Sequence, residues 1–371
     1  MSLRRFAAWV LWPFTMWYGV GVTIRNLLFD IGVKHQVSLP VTSIGIGNLA
    51  VGGTGKTPLA DYLISLFSDT FRVSLVSRGY KRKSKGCVIC SHEASVPDNL
   101  PELLGDETAM LFVKHQNISA AVCKSRAEAV DALMSLDNPP QLVILDDIFQ
   151  HRHVKPTISI LLTDYNHLFS DDRVLPYGNL REPKSSSRRA NVVIVTKTPY
   201  KLNSLEKKDV YRRLRLKPYQ KLFFSGISYG APVKLFENTA DCNFEIVKHI
   251  VCVTGIANPE PLLSELRQHG RHVEHISFPD HHDFTNADID CLVSAFEAID
   301  SPSKIILTTE KDSVRLRSCG AVDVLAALPV YFLPMAIFFQ DESGYDFDRF
   351  ISASVRENIS FLDRLTKSGI S

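Results

Sequence analysis

The sequence predicts a mixed α/β protein: a P-loop-containing three-layer α/β/α domain, a second, smaller α/β domain joined to it by a hinge, and a membrane-associated helix at the N-terminus. Three observations carry that expectation. Short β-branched runs alternate with helically spaced segments along the 371 residues, the pattern of parallel strands covered on both faces. The first such run feeds a glycine-rich loop ending in Gly55-Lys56-Thr57. Ahead of it stands an uncharged aromatic stretch that holds every tryptophan of the chain, Trp9, Trp12 and Trp17. A chain this long accommodates two cores, with boundaries expected at 1–30, 31–183 and 184–371.

The N-terminal stretch, Phe6 to Ile24, is flanked by Arg4, Arg5 and Arg25. Its nineteen residues are barely enough to span a bilayer, and no small-residue cleavage site marks a signal peptide. Aromatic rings and flanking arginines suit the headgroup boundary, where amphipathic side chains are stable. A helix buried in the protein's own core is the alternative, and Pro13 would kink any continuous helix here. The expectation is a cytoplasmic protein seated peripherally on the membrane face, with a single span as the other membrane arrangement.

Val41 to Ile46 reads as the strand that enters the glycine loop, and the helix begins near Thr57. Gly52, Gly53 and Gly55 let main-chain N–H groups crowd around phosphate oxygens. Thr54 and Pro58 complete the nucleotide loop. Lys56 carries charge to the β- and γ-phosphates, and the Thr57 hydroxyl suits Mg²⁺. The helix adds its N-terminal partial charge. Ala50 stands where a strict motif has glycine.

Further along, Arg72–Val76, Ile118–Val122, Gln141–Leu145, Thr157–Leu162 and Val192–Val195 read as strands, and Lys124–Leu136 as a helix. Asp106 occupies a natural N-cap position before a helical segment. The Gln141–Leu145 run ends in Asp146-Asp147, a carboxylate at a strand's carboxyl end facing Mg²⁺. Neighbouring strand residues point to opposite faces, so one of the two meets the metal. Glu182 to Ala190 is polar and aperiodic, a hinge by composition. Beyond it Lys221–Phe224, Ile250–Val253, His272–Ser277 and Lys304–Thr308 form a second α/β set, with Asn258-Pro259 opening a helix that Gly270 ends.

Charge is balanced, 42 basic against 40 acidic residues, which gives no bulk argument for nucleic acid. The run Arg72–Gly86 is basic and suits either phosphates or solvent. Of seven cysteines, Cys87 and Cys90 form one C-x-x-C without a second pair, which argues against a zinc site; the scatter suits a reducing compartment. Phosphoryl transfer to an alcohol also needs a group that readies the acceptor hydroxyl. Asp106 and Asp280-His281-His282-Asp283 are the candidates, set against a plain helix cap and a surface turn.

Taken in order, NLAVGGTGKTP, SRGY, GDE, DD-x-FQHR, PYGNLREP, TGIANPEP, FPDHHDF and TTEKD resemble the tetraacyldisaccharide 4′-kinase family of the lipid A pathway. The resemblance runs to about Leu316. It implies two α/β/α lobes with the active site in the cleft, on the cytoplasmic face of the bacterial inner membrane. It implies ATP as co-substrate, Mg²⁺, and a tetraacylated disaccharide 1-phosphate as acceptor, with no nucleic acid and no obligate protein partner. By motif, Asp106 becomes the base with His281 beside it, while Lys56 and Arg181 neutralise charge on the transferring group. Thr57, Asp146, Asp147 and Glu182 become metal-side groups. Arg78, Tyr80, Arg126, Gln150, His151 and Arg152 become contacts to the disaccharide. Ile148 replaces the glycine usual after the aspartate pair. The alternative is a membrane-anchored P-loop ATPase or GTPase switch, which needs no alcohol-activating base.

Overall fold

The computed structural model describes residues 3–92, 99–239, 241–268, 270–340 and 343–367. The larger sheet has nine strands in the order Met335–Phe339, Lys221–Tyr229, Val192–Thr196, Ile158–Asp164, Thr42–Asn48, Leu142–Leu145, Val73–Ser77, Ile118–Val122 and Val88–Ser91. Its interior pairings are parallel, and the outer strand at each edge is antiparallel. Thr42–Asn48 is buried along its whole length near the middle, as expected of a parallel strand covered on both faces. The smaller sheet has five strands, in the order Val233–Lys234, Val330–Leu333, Lys304–Thr309, His249–Thr254 and His272–Ser277.

The smaller sheet lies, in sequence, between Lys221–Tyr229 and Met335–Phe339, which are antiparallel neighbours in the larger one. Sheet membership therefore does not change at residue 184. Glu182–Ala190, expected as the hinge, holds a 3-10 helix at Lys184–Arg189 between two adjacent parallel strands. It reads as a linker because it lacks periodicity, yet its polar groups surround a buried Glu182. Beyond Leu316, where no motif stood out, the chain adds Val330–Leu333 to the smaller sheet and returns to the larger one only at Met335. There the helix Ser343–Lys367 buries Phe347, Ile351 and Val355 in the same core as the P-loop helix residues Leu59, Leu63 and Ile64.

The N-terminal segment is one helix, Leu3–Asp30, with Pro13 inside it. Its middle is not core: Phe14 is 63% and Trp17 79% exposed. Among the described residues no helix is long and apolar enough to cross a membrane. The helix is fastened to the body at its carboxyl end, where Arg152 donates to the Asn26 carbonyl at 2.9 Å and to Asp30 at 2.8 Å.

Candidate active site

The nucleotide end is built from consecutive residues. The central strand ends at Asn48, the loop crosses the sheet edge, and the helix Lys56–Phe67 starts beneath it. Gly55 caps that helix at φ +87, a left-handed conformation that a Cβ would strain. Gly52 and Gly53 have open space where a side chain would be. Thr196 Oγ1 donates to the Thr54 carbonyl at 2.8 Å, and Arg181 N–H to the Leu49 carbonyl at 2.7 Å, so neighbouring segments hold both ends of the loop. Pro58 sits in the first turn, where a missing N–H costs nothing. Lys56 Nζ lies 3.5 Å from Asp147 Oδ1 and Arg181 Nη1 3.2 Å from Asp147 Oδ2. Thr57 Oγ1 donates to Glu107 Oε2 at 2.7 Å.

The two aspartates differ. Asp147 has φ +46; burial opposes its ionisation, but Lys56 and Arg181 hold the carboxyl below its ordinary value. Burial first, then the charges of Glu107 and Asp147, push Asp146 up to about 7 against the pull of Lys56. Its Oδ1 is buried without a hydrogen-bond partner. The departure at Ile148 is accommodated by the neighbouring strand: a Cβ on Gly45 would lie 2.7 Å from Ile148 Cγ2, so glycine there makes room for the branched side chain. Glu182, expected beside the aspartates, is engaged elsewhere. Fully buried, it takes Arg189 at 2.6 Å and Asn26 at 3.3 Å, an arrangement that neutralises it in place. Among the described residues no three His, Cys, Asp or Glu side chains form a metal cage.

The end of the cleft expected to take the acceptor is assembled from distant parts. Gly105, not Asp106, caps the helix Asp106–Lys114, at φ +79; a Cβ there would sit 2.8 Å from the Tyr80 carbonyl. Asp106 is thereby the first helical residue, and its carboxylate turns across to the smaller unit. Asp106 Oδ2 accepts from His281 Nδ1 at 2.7 Å and from Arg315 Nη2 at 2.5 Å. Burial would raise this carboxyl, but the His281 and Arg315 bonds outweigh it and hold Asp106 well below the usual carboxylate range. Lys311 Nζ lies 3.2 Å from His281 Nε2, 3.3 Å from Asp280 and 3.4 Å from Glu107. Both ring nitrogens of His281 are thus engaged, Nε2 by Lys311 and Nδ1 by Asp106 and by Arg315 Nη2 at 3.1 Å.

The six groups expected at the disaccharide fall into two classes. Arg78 and Tyr80 are exposed at the cleft, the Tyr80 ring 5.6 Å from that of His281. Arg126 is buried, with Nη2 3.4 Å from the Asp146 carbonyl. Burial, with Arg126 next, pushes the His151 imidazole down to about 4, so it stands neutral at physiological pH. Gln150 and Arg152 serve the scaffold instead. Gln150 Nε2 donates to the Asn48 carbonyl at 2.7 Å, and the Gln150 carbonyl accepts from Arg25 at 2.5 Å. Arg152 is buried against the N-terminal helix, so sequence position beside the aspartates does not put it in the cleft.

The family model described as tetraacyldisaccharide-1-P 4′-kinase matches residues 7–355. The chain belongs to that family. It is accordingly a kinase that phosphorylates with ATP in lipid A biosynthesis. A tetraacyldisaccharide 4′-kinase of Phocaeicola vulgatus is 38% identical over 362 residues, covering 96% of this chain and 97% of the relative. One from Bacteroides thetaiotaomicron is 40% identical, over 94% and 93%. Among solved structures, the "apo" form of LpxK from Aquifex aeolicus in complex with ATP is similar with a TM-score of 0.71 and 28% identity, covering 95% of this chain and all of that one. The fold of that solved relative thus matches most of this chain. Three side chains of the cleft escaped the reading by motif. Glu107 and Lys311 stand inside GDE and TTEKD without a role that those motifs imply, and Arg315 lies beyond TTEKD in no motif.

Proposed function

We propose that the protein works as a peripheral membrane kinase, moving the γ-phosphoryl group of ATP to the 4′-hydroxyl of a tetraacylated disaccharide 1-phosphate. One observation supports this above the others. The phosphate loop and an ionised carboxylate–imidazole pair form a single chain of contacts, Thr57 to Glu107 to Lys311 to His281 to Asp106. A nucleotide switch has no use for the second half of that chain.

In this reading Lys56 and Arg181 stabilise charge on the transferring oxygens. Asp106 takes the acceptor's hydroxyl proton as the new P–O bond forms and the bond to ADP breaks. His281 and Arg315 hold its carboxylate in place. A weakly basic carboxylate suffices because the transition state is loose and needs little activation of the nucleophile. The oxygen donors fit Mg²⁺: Asp146 Oδ1 is buried without a partner and feels the charge of Glu107, and Glu107 accepts from the Thr57 hydroxyl, a set of oxygens that suits a hard cation. When bound, the ion neutralises charge across the β- and γ-phosphates. We assign 31–229 with 335–367 to one lobe and 233–333 to the other.

A lipid with four acyl chains leaves a bilayer only at a cost of roughly 0.8 kcal/mol per CH₂, so the enzyme meets it at the surface. The exposed Trp12, Phe14, Met16 and Trp17 suit headgroup depth. The test is transfer of labelled γ-phosphate to glycolipid and to water, by parent and Asp106→Ala. The variant is expected to lose glycolipid labelling while binding nucleotide as the parent does. Equal labelling by both would remove Asp106 from its role, and label found only in water would favour the switch.

A further inference from the structure

Away from the reacting groups, the same helices meet in a second ionic cluster. Asp61, one turn beyond Thr57 on the P-loop helix, is 8% exposed. It accepts from Lys114 Nζ at 2.7 Å and faces His115 Nε2 at 2.6 Å. Lys114 Nζ also reaches Glu310 Oε1 at 3.0 Å. Glu310 Oε2 in turn accepts from the Met335 N–H at 3.4 Å, where the chain passes from the smaller sheet back to the larger.

Each of these helices also contributes to the cleft. The P-loop helix carries Lys56 and Thr57; Asp106–Lys114 carries Asp106 and Glu107; Glu310–Leu316 carries Lys311 and Arg315. They are therefore joined at two levels, once at the reacting groups and once at Asp61–Lys114–Glu310. The helix Glu310–Leu316 has only seven residues. Its side chains are spaced at a fixed angle about one axis, so movement of Glu310 swings Lys311 and Arg315 away from Glu107 and Asp106. A partly buried ion triad adds little net stability but fixes orientation.

We propose that Lys114, bridging Asp61 and Glu310, is a positioning residue that couples the P-loop helix in one lobe to the Lys311 and Arg315 side chains reaching in from the other. Nucleotide that orders Lys56 and Thr57 then also orders the helix Glu310–Leu316, and the coupling runs equally in reverse. This rests on the kinase reading above, and the experiment separates the two.

Lys114→Met and Glu310→Gln are each expected to lower kcat for glycolipid phosphorylation about 10-fold, a typical coupling, and to weaken nucleotide affinity by up to the same factor because the link is reciprocal; rates are compared at saturating ATP and below each variant's own melting transition. Lys114→Arg restores most of the rate. The double variant is no slower than either single one, because both break the same link. Hydrogen exchange gives an arm that needs no acceptor: a Mg·ATP analogue slows exchange in residues 310–316 of the parent but not of Lys114→Met. A parent that labels no glycolipid refutes the kinase reading, and the exchange arm still decides the coupling. Unchanged kcat in an active enzyme, additive losses in the double variant, or identical protection of 310–316 in parent and Lys114→Met would each overturn it.

Discussion

The two ends of the cleft are made in opposite ways. The nucleotide end comes from one run, Gly52 to Pro58, whose conformation is decided by glycine and by the helix that follows. The acceptor end brings Asp106 to His281 across 175 positions and to Arg315 across 209, from two different sheets. A local site survives small rearrangements of the fold; a non-local one requires both units to be in register. The nucleotide end should therefore tolerate damage elsewhere, while the acceptor end should fail with anything that shifts the smaller unit.

The largest expected effect breaks the acceptor end alone. Asp106→Ala removes the proposed base and leaves Arg315, 6% exposed, with Asp312 at 3.4 Å as its remaining carboxylate partner. Turnover should fall by about 10³- to 10⁴-fold, with nucleotide affinity unchanged by calorimetry. Lys56→Met attacks the other end and should cost roughly 10²- to 10³-fold in kcat, this time with weaker ATP binding. If the two variants gave the same pattern of kcat and affinity, the division of labour would be wrong. Arg315→Lys sharpens the contrast: it keeps the charge but loses the planar fork, and about a 10-fold drop in kcat without change in the KM for ATP is expected.

The smallest effect is read without catalysis. Asp146 has its carboxyl pushed up to about 7, above the ordinary 3.8, so the folded chain holds this proton more tightly than the unfolded one. Its contribution to stability is then present below about pH 4 and fades as pH rises towards 7. In the absence of nucleotide and metal, Asp146→Asn should melt higher than the parent at pH 8, by ~5 °C or more, and the gap should close near pH 4. No gap at pH 8 would mean that Asp146 is not held in an unfavourable charged state.

The contrast also explains what could be read from the residues. Glycine spacing, the Lys-Thr pair and the apolar run before Asp146 carry local rules, and the fold class follows from the alternation of strands and helices. Asp106 and His281, which the structure brings within 2.7 Å, each stand inside a short motif. Arg315 does not: nothing adjacent to it in sequence signals that it ends beside a carboxylate on another helix. Arg152 and Glu182 show the other side of this, standing beside motifs while bonded to Asn26, Asp30 and Arg189 of the scaffold. The break between the two units was invisible for a similar reason. A polar run such as Lys184–Arg189 looks like a connector whether it spans two lobes or caps a buried carboxylate, and the true crossings near Gly230 and Pro334 are short and unremarkable in composition.

Those crossings have a mechanical consequence. Both pass through adjacent strands at one rim, so the smaller lobe hangs like a door on paired pins rather than a weight on a string. The Gly230 N–H to Pro334 carbonyl bond at 2.9 Å laces the two crossings together, so the lysine, arginine and histidine of the smaller unit are aimed at the carboxylate by a double mounting rather than a single thread.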